Sequence, residues 1–204
     1  MVKKIVFACF LLSFVPHFGI AQNKQLQITG GWSKHGSGDL TGFYYGFNYS
    51  KYVKPKLSWQ LSVEGNMYDG FFPLFYNDQN GTVIDGSYRY SISGLQVGYN
   101  GRYSFVKAEK HEALVSVGTF FRYQASTSSD DVTVIYPIVT NLPVPVLYFQ
   151  NTTPVRTVAI GAYPKLEYHY TMKKNITIGV VAGFQFDTNG DNIINLSLSL
   201  GKRF

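Results

Sequence analysis

Apolar and polar residues alternate with a period of two through most of the chain that follows residue 22. Successive side chains of a β-strand point to opposite faces, so this period predicts strands with one apolar and one polar face. The last eleven residues, INLSLSLGKRF, keep the alternation up to the terminal Phe204. Chain ends usually fray unless something holds them. The pattern therefore predicts that this end of the chain pairs into a sheet.

Eight segments carry the alternation, and each has the roughly 9–11 residues that a tilted strand needs to cross a bilayer. They are Gln25–Lys34, Gly42–Tyr52, Leu57–Tyr68, Tyr88–Phe105, Ala113–Gln124, Arg156–Tyr170, Asn175–Asp187 and Ile194–Phe204. Ile92 has the wrong parity for its segment, which predicts a bulge near Ser93 and Gly94. Pro164 cannot donate to a strand ladder, which predicts a second bulge there.

The connections between these segments alternate in length. The short, lysine-rich ones are Val53–Lys56, Val106–Glu112 and Thr171–Lys174, and the long polar ones are His35–Thr41, Asp69–Ser87 and Ala125–Val155. The last connection, Thr188–Asp191, contains an Asn-Gly pair, which is a strong hairpin signal. Short turns at one end and long loops at the other are the layout of an outer-membrane barrel. We therefore predict an all-β fold, an eight-stranded antiparallel up-and-down transmembrane β-barrel, over residues 22–204.

The first 21 residues have the pattern of a signal peptide. Two lysines precede the apolar run IVFACFLLSFV, and Gly19–Ala21 offers a small-x-small cleavage site, so we expect a secreted chain that begins at Gln22. Cys9 lies inside the apolar run and not at its end, which disfavours lipid attachment. Because Cys9 is the only cysteine, the secreted chain would have no disulfide and no thiol chemistry.

Composition agrees with a β-rich envelope protein. Aromatic residues make up 17% of the chain and cluster near the predicted strand ends, as interfacial girdles require. The formal net charge of +6 falls to +4 when Lys3 and Lys4 are removed with the signal peptide. This charge is scattered along the sequence, which gives little support to nucleic-acid binding.

The polar face of the predicted strands carries charges of both signs. These residues are Glu64, Arg102, Arg122, Lys165, Glu167 and Arg203. Mixed charges suit a salt-bridged interior better than a solvated outer wall, whereas a soluble barrel would bury the apolar face. Eight strands leave an interior just wide enough for side chains to fill. We expect a charge network that plugs the lumen, with a narrow porin-like path for small or hydrophobic solutes as the alternative.

The chain resembles the small eight-stranded outer-membrane β-barrel proteins of Gram-negative bacteria. The resemblance rests on the signal peptide, the eight alternating segments and the final Leu196, Leu198, Leu200 and Phe204. It implies an integral outer-membrane protein in contact with outer-membrane lipid, and we expect a monomer. It also implies that the last segment is the signal that the barrel-assembly machinery reads. Lys202 departs from the family pattern, in which an apolar or aromatic residue is commoner at this position.

Two apolar stretches fall in the long connections, which are predicted to face water. They are FFPLFY at Phe71–Tyr76 and YPIVTNLPVPVLYF at Tyr136–Phe149. The candidate interaction residues in them are Phe71, Phe72, Leu74, Phe75, Tyr136 and Tyr148. These stretches either extend the strands and pack on one another, or form a surface for an extracellular partner or a hydrophobic ligand.

Catalysis and metal binding have weaker support. Some eight-stranded outer-membrane barrels are lipid-modifying hydrolases or acyltransferases, and such chemistry needs a nucleophile beside a base. Only His35 lies near the outer rim, beside Ser33, Ser37 and Asp39, and a solvated polar loop is the simpler interpretation. Asp187–Asp191 has the spacing of a calcium loop but lacks the glutamate at position 12, so it fits a hairpin turn better. We predict no enzyme, no cofactor and no metal, and a structural role or interaction through the long loops.

Overall fold

The computed structural model describes residues 23–36, 39–78, 80–128, 131–150 and 153–204. The predicted signal peptide lies outside these residues. The strands are β1 Lys24–His35, β2 Leu40–Lys54, β3 Leu57–Phe72, β4 Phe75–Asn77, β5 Val83–Asp85, β6 Tyr88–Lys107, β7 His111–Ser126, β8 Asp131–Ile135, β9 Val146–Gln150, β10 Val155–Ala162, β11 Lys165–Thr171, β12 Ile176–Asp187 and β13 Asn192–Arg203. A short helix, α1, spans Pro137–Thr140, and a 3-10 turn spans Lys173–Asn175. Within the described ranges, no helix is both long and apolar enough to cross a membrane.

The long strands form one closed antiparallel ring. Its order is β1, β2, β3, β6 and β7, then one position shared by β10 and β11, then β12 and β13. β13 closes the ring because it pairs with two neighbours, so that Leu200 lies opposite Ile28 of β1 and opposite Ile178 of β12. Lys24 and Phe204 also exchange backbone hydrogen bonds of 3.1 and 3.0 Å. The predicted eight-stranded barrel is confirmed, including the pairing of the final segment.

The two ends of the barrel differ in the length of their connections. The turn end carries residues 55–56, 108–110 and 172–175 and both termini of the described chain. The described residues of the loop end are 36, 39, 73–78, 80–87, 127–128, 131–150, 153–154 and 188–191. Two of the loop-end connections form β-hairpins of their own, β4–β5 and β8–β9. The predicted alternation of short and long connections is therefore present.

The strand is interrupted at Pro164, but the bulge predicted there is wrong, because β10 and β11 keep the same register with β7 and with β12 on both sides of the break. β10 ends at Ala162 and β11 begins at Lys165, and the ring is maintained because Tyr163 N donates to Gly118 O at 2.9 Å. The carbonyl of Pro164 in turn accepts a hydrogen bond of 3.0 Å from Phe184 N. A residue without an N–H therefore costs the sheet only a local break.

The bulge predicted near Ser93 and Gly94 is wrong. β3 and β6 pair there without a shift of register. Ile92 instead faces the interior at the loop end, where it packs against a small buried apolar cluster. The cluster consists of Leu40, Tyr68 and Ile193. The parity of Ile92 was misleading because this small apolar cluster lies inside an otherwise polar interior.

Candidate functional site

The barrel turns its apolar residues outward and its polar residues inward. In β13, Leu198 is 67% exposed and the next residue, Ser199, is 3% exposed. The same contrast separates Tyr99 from Asn100 in β6, with exposures of 56% and 1%. A soluble barrel has the opposite arrangement. The outer wall is therefore an apolar band around a polar lumen.

An ion pair crosses the middle of the lumen. Lys165 Nζ of β11 lies 2.7 Å from Glu64 Oε1 of β3, and Gln96 Nε2 of β6 donates to Glu64 Oε2 at 2.7 Å. The Lys165 ammonium also lies 4.0 Å from the centroid of the Tyr163 ring. All four side chains are buried. The charges are thus compensated by a salt bridge, a hydrogen bond and a cation–π contact, as buried charges require.

A second cluster lies closer to the turn end. Arg102 Nη2 donates to Glu167 Oε2 at 2.8 Å, and Ser116 Oγ donates to Glu167 Oε1 at 3.1 Å. His169 Nε2 lies 3.0 Å from Glu167 Oε2. Three strands, β6, β7 and β11, therefore converge on one buried carboxylate.

Arg203 belongs to a third cluster, at the turn end itself. Its guanidinium forms an ion pair with Glu112, whose Oε2 also accepts a 2.7 Å hydrogen bond from Tyr52 OH. Lys107 Nζ lies 4.0 Å from Glu112 Oε1. The sequence analysis placed Glu112 in a turn and did not identify it as the partner of Arg203. Glu112 lies two residues before Leu114, which faces inward. Because residues two apart in a strand share a face, this parity would have predicted that Glu112 points into the lumen.

Arg122 forms the fourth cluster, at the loop end. Its guanidinium forms an ion pair with Asp187 and lies 3.6 Å from Asp191. Asp187 Oδ1 accepts the backbone N–H groups of Asn189 and Asp191, at 2.9 and 3.2 Å. Both Asp187 oxygens thus have partners within the protein, in the manner of a capped hairpin turn. Within the described ranges no group of acidic, histidine or cysteine side chains has the arrangement of a metal site.

The six predicted lumen residues therefore all face the interior, but the structure distributes them over four clusters. Between the first two clusters the free space is small. The cavity beside Tyr44, Lys165 and Glu167 measures about 10 Å³, which is about the minimum that one water molecule needs. Tyr163 reaches across the lumen, where its OH donates to Asn195 Oδ1 at 2.8 Å. Side chains fill the barrel at this level.

His35 does not lie in a solvated loop, and that expectation is wrong. Its side chain is buried in the lumen, with its ring edge-on to Tyr68 at 5.1 Å and Nε2 3.5 Å from Asp191 Oδ2. The Ser33 hydroxyl lies 2.7 Å from Tyr68 OH. Asp39 instead forms an exposed ion pair of 2.9 Å with Lys34. Ser37 lies outside the described residues. The groups named around His35 are thus not assembled as a nucleophile, base and acid.

The apolar residues of the long connections lie on the two loop-end hairpins and on the extension of β3. Phe71, Phe72, Phe75, Tyr136 and Tyr148 are exposed, and Leu74 is half-buried. The β8–β9 hairpin packs on the loop ends of β3 and β6, because the Tyr88 ring stacks on Phe72 at 5.3 Å and meets Phe149 edge-on at 5.4 Å. The stretches are therefore strand extensions that pack together and still leave apolar side chains in contact with solvent.

Helix α1 adds the most exposed apolar residues of this surface. Ile138 is 91% exposed and Val139 is 74% exposed. An exposed acid, Asp85, also lies at the loop end. Hydrogen bonds from the Ser87 side chain and backbone hold the pKa of its carboxyl below the ordinary value. The sequence stretch that contains α1 was identified, but Ile138 and Val139 were not among the residues chosen from it.

The final segment has its apolar residues on the outer wall. Leu196, Leu198 and Leu200 face outward, and Phe204 pairs through its backbone with Lys24. Lys202 continues the same outward row beyond Leu200.

No protein-family model and no curated protein sequence matches the chain. Solved structures of membrane barrels do. Neisserial surface protein A aligns with a TM-score of 0.58 at 10% identity, over 89% of this chain and 97% of its own. The N-terminal β-barrel domain of Pseudomonas aeruginosa OprF aligns with a TM-score of 0.52 at 13% identity, over 90% of this chain and 98% of its own.

The attachment invasion locus protein Ail of Yersinia pestis aligns with a TM-score of 0.51 at 8% identity, over 90% of this chain and 99% of its own. Identities this low establish a shared architecture and no shared activity. The chain has the fold of the small eight-stranded outer-membrane β-barrel proteins.

Proposed function

We propose that the protein is an integral outer-membrane barrel with a closed lumen, without enzymatic activity, that acts through the apolar surface of its loop end. The apolar outer wall supports the membrane location. The outward row of β6 runs from Leu95 to Phe105, about 34 Å at ~3.4 Å per residue. A strand tilt of about 40° projects this to ~26 Å, close to the ~25 Å apolar band of outer-membrane barrels.

The filled lumen argues against conduction as the main role. The Glu64–Lys165 pair joins β3 to β11 across the interior, the Arg102–Glu167 pair joins β6 to β11 over the intervening β7, and the space beside them is about 10 Å³. We assign these clusters a structural role, because they bridge strands far apart in the sequence. The packed interior then stabilises the barrel wall and the loops attached to it.

The observation that carries the functional proposal is the exposed apolar tip at Ile138 and Val139. Large apolar patches on water-exposed protein surfaces usually mark binding sites. The tip stands on the β8–β9 hairpin, which is fixed by its contact with Tyr88. In the proposed orientation the loop end lies outside the cell and the tip meets an apolar partner surface.

Cell-surface partition tests this proposal. Intact cells that produce the protein should move from water into hexadecane more than cells without it, and Ile138→Ser/Val139→Ser should remove most of the difference. Val53→Ser/Val106→Ser, two exposed valines at the turn end, is the matched control and should change nothing. Equal partition of both variants would refute an external apolar tip.

Fractionation with heat-modifiable mobility tests the location and the barrel fold together. The mature protein should remain in the outer-membrane fraction until detergent is added, and it should show heat-modifiable mobility on gels. Release without detergent would contradict the membrane proposal. N-terminal sequencing of the purified protein should begin at Gln22 if the signal peptide is cleaved as expected.

A further inference from the structure

A positively charged cleft of about 400 Å³ opens at the turn end, between the β6–β7 turn and the β11–β12 turn. Its charged lining residues are Lys110, Lys173, Lys174, Arg203 and Glu109. This volume is in the range of small-molecule binding sites. Cations therefore outnumber acids around the cleft, even after Glu112 is counted as the partner of Arg203.

The cleft offers cationic side chains to an anion. Lys110, Lys173 and Lys174 line it, and their ammonium groups have the chemistry that attracts a phosphate group. The Arg203 guanidinium adds positive charge to the wall but is held by Glu112.

The cleft belongs to a wider asymmetry of charge. After residue 22, all lysines except Lys34 and Lys165 lie at the turn end. Only two carboxylates, Glu109 and Glu112, lie at that end within the described ranges, and Glu112 is buried. The turn end is thus strongly cationic and attracts anions.

An apolar groove of about 410 Å³ lies on the outer wall, across β1, β12 and β13. Ile28, Ile178, Leu198 and Leu200 line it, and Gly30 leaves it open. A Cβ atom at Gly30 would have its nearest neighbour, Phe43 Cζ, at 3.6 Å, which is ordinary contact. The groove therefore has room for a hydrocarbon group that is not part of the wall.

The groove and the cationic end are continuous. Lys202 follows Leu198 and Leu200 on the same outward row of β13, and it pairs with Ile176, two residues before Ile178 of the groove. Two strand residues span about 7 Å. Lys173 and Lys174 lie three and two residues before Ile176 in the chain. The ammonium-bearing Lys202 therefore lies next to the apolar groove, at the position where an apolar residue would continue the outward row of β13.

We propose that this region binds one anionic phospholipid, with an acyl chain in the groove and the phosphate group between Lys202 and the lysines of the cleft. Free phosphate would meet the cations but would leave the groove unused, so the apolar half favours the lipid. The inference rests on the proposed membrane location, because the groove must face lipid. It also explains why Lys202 interrupts the apolar pattern of the final strand.

Native mass spectrometry tests the proposal. The full-length mature barrel is folded into vesicles of equal parts phosphatidylglycerol and phosphatidylcholine, released in mild detergent, and weighed with its retained lipids. Wild type should retain phosphatidylglycerol about twenty-five-fold over phosphatidylcholine, which is two factors of about fivefold. Each lysine close to an anionic headgroup contributes about fivefold, so Lys174→Asn/Lys202→Gln should remove most of this preference. Asn is chosen because Lys174 has a φ of 61°, which Asn tolerates.

Two further variants separate the explanations. Lys54→Gln/Lys56→Gln makes the same change of charge at the β2–β3 turn and should keep the preference. Gly30→Val fills the groove without changing charge and should lower retention of phosphatidylglycerol severalfold. Heat-modifiable mobility is recorded for every sample. If either Lys174→Asn/Lys202→Gln or Gly30→Val fails to fold, the other variant still tests the proposal.

Three results would overturn the inference. They are equal retention of the two lipids by wild type, an equal loss in the Lys54→Gln/Lys56→Gln control, and displacement of the lipid by 10 mM glycerol phosphate, a soluble competitor with the same phosphate chemistry. A chain that enters vesicles but shows no lipid preference contradicts only this inference. A chain that does not enter vesicles contradicts the proposed membrane location.

Discussion

Replacement of Arg102 by Met should destabilise the barrel more than any change to a surface ion pair. The Arg102 side chain is fully buried and Glu167 is 2% exposed, with 2.8 Å between Nη2 and Oε2. Removing one partner of a buried pair costs about 3–5 kcal/mol, because the other charge stays buried. Glu167 keeps Ser116 and His169 as hydrogen-bond partners. We therefore expect a loss at the lower end of that range, about 3 kcal/mol.

Urea unfolding in lipid vesicles, followed by tryptophan fluorescence, measures this loss. Arg89→Met is the matched control, because Arg89 and Asp69 form a 3.5 Å pair whose side chains are 77% and 72% exposed. Such a pair is worth less than about 1 kcal/mol. The double variant Arg102→Met/Glu167→Met should recover most of the stability, since a buried pair replaced as a whole is often neutral. Equal losses for Arg102→Met and Arg89→Met would refute the assignment of Arg102 to a buried ion pair in the interior.

Three other changes test separate features. Gly179→Ala should lower the free energy of unfolding by about 1–3 kcal/mol in the same assay, because the added Cβ would lie 2.3 Å from His169 Nδ1. Gly101→Ala is the control and should cost little, because the nearest atom to its Cβ would be 3.8 Å away. Deletion of Phe204 should slow assembly in cells, seen as accumulation of unfolded precursor in pulse-chase labelling, while refolding of the purified protein in detergent changes less. Planar-bilayer recordings of folded wild type should show no discrete conductance steps, and regular steps would reinstate the channel.

The ring of strands was predictable because period-two alternation is a local property of the sequence. Each predicted segment coincides with ring strands to within a few residues at the ends, and the segment Arg156–Tyr170 is divided between β10 and β11. β6, for example, runs to Lys107, two residues beyond the predicted Phe105. The exact ends were less predictable, because polar residues near the interface fit either a strand or a turn. Ile92 shows the same limit, since its side depends on the apolar cluster formed by residues distant in the sequence.

The inward-facing charges were predictable by parity, but their partners were not. Arg122 pairs with Asp187, which is 65 residues away and was interpreted only as part of a turn. Arg203 pairs with Glu112, which is 91 residues away. Which acid meets which base depends on the register of the closed sheet. Parity predicts that a side chain points into the barrel, but it does not predict which side chains of other strands lie at the same level along the barrel axis.

The backbone hydrogen bonds between Lys24 and Phe204 also bear on the order of events in folding. They join residues near the two ends of the described chain, so the ring cannot close until β13 has been made. Contacts of such long range are slow to form because a large loop must close first. Once formed, the ladder between β1 and β13 resembles any other ladder in the sheet. A circularly permuted chain, joined from residue 204 to residue 24 and opened at the Asn189–Gly190 turn, should therefore reach the same ring by a different route.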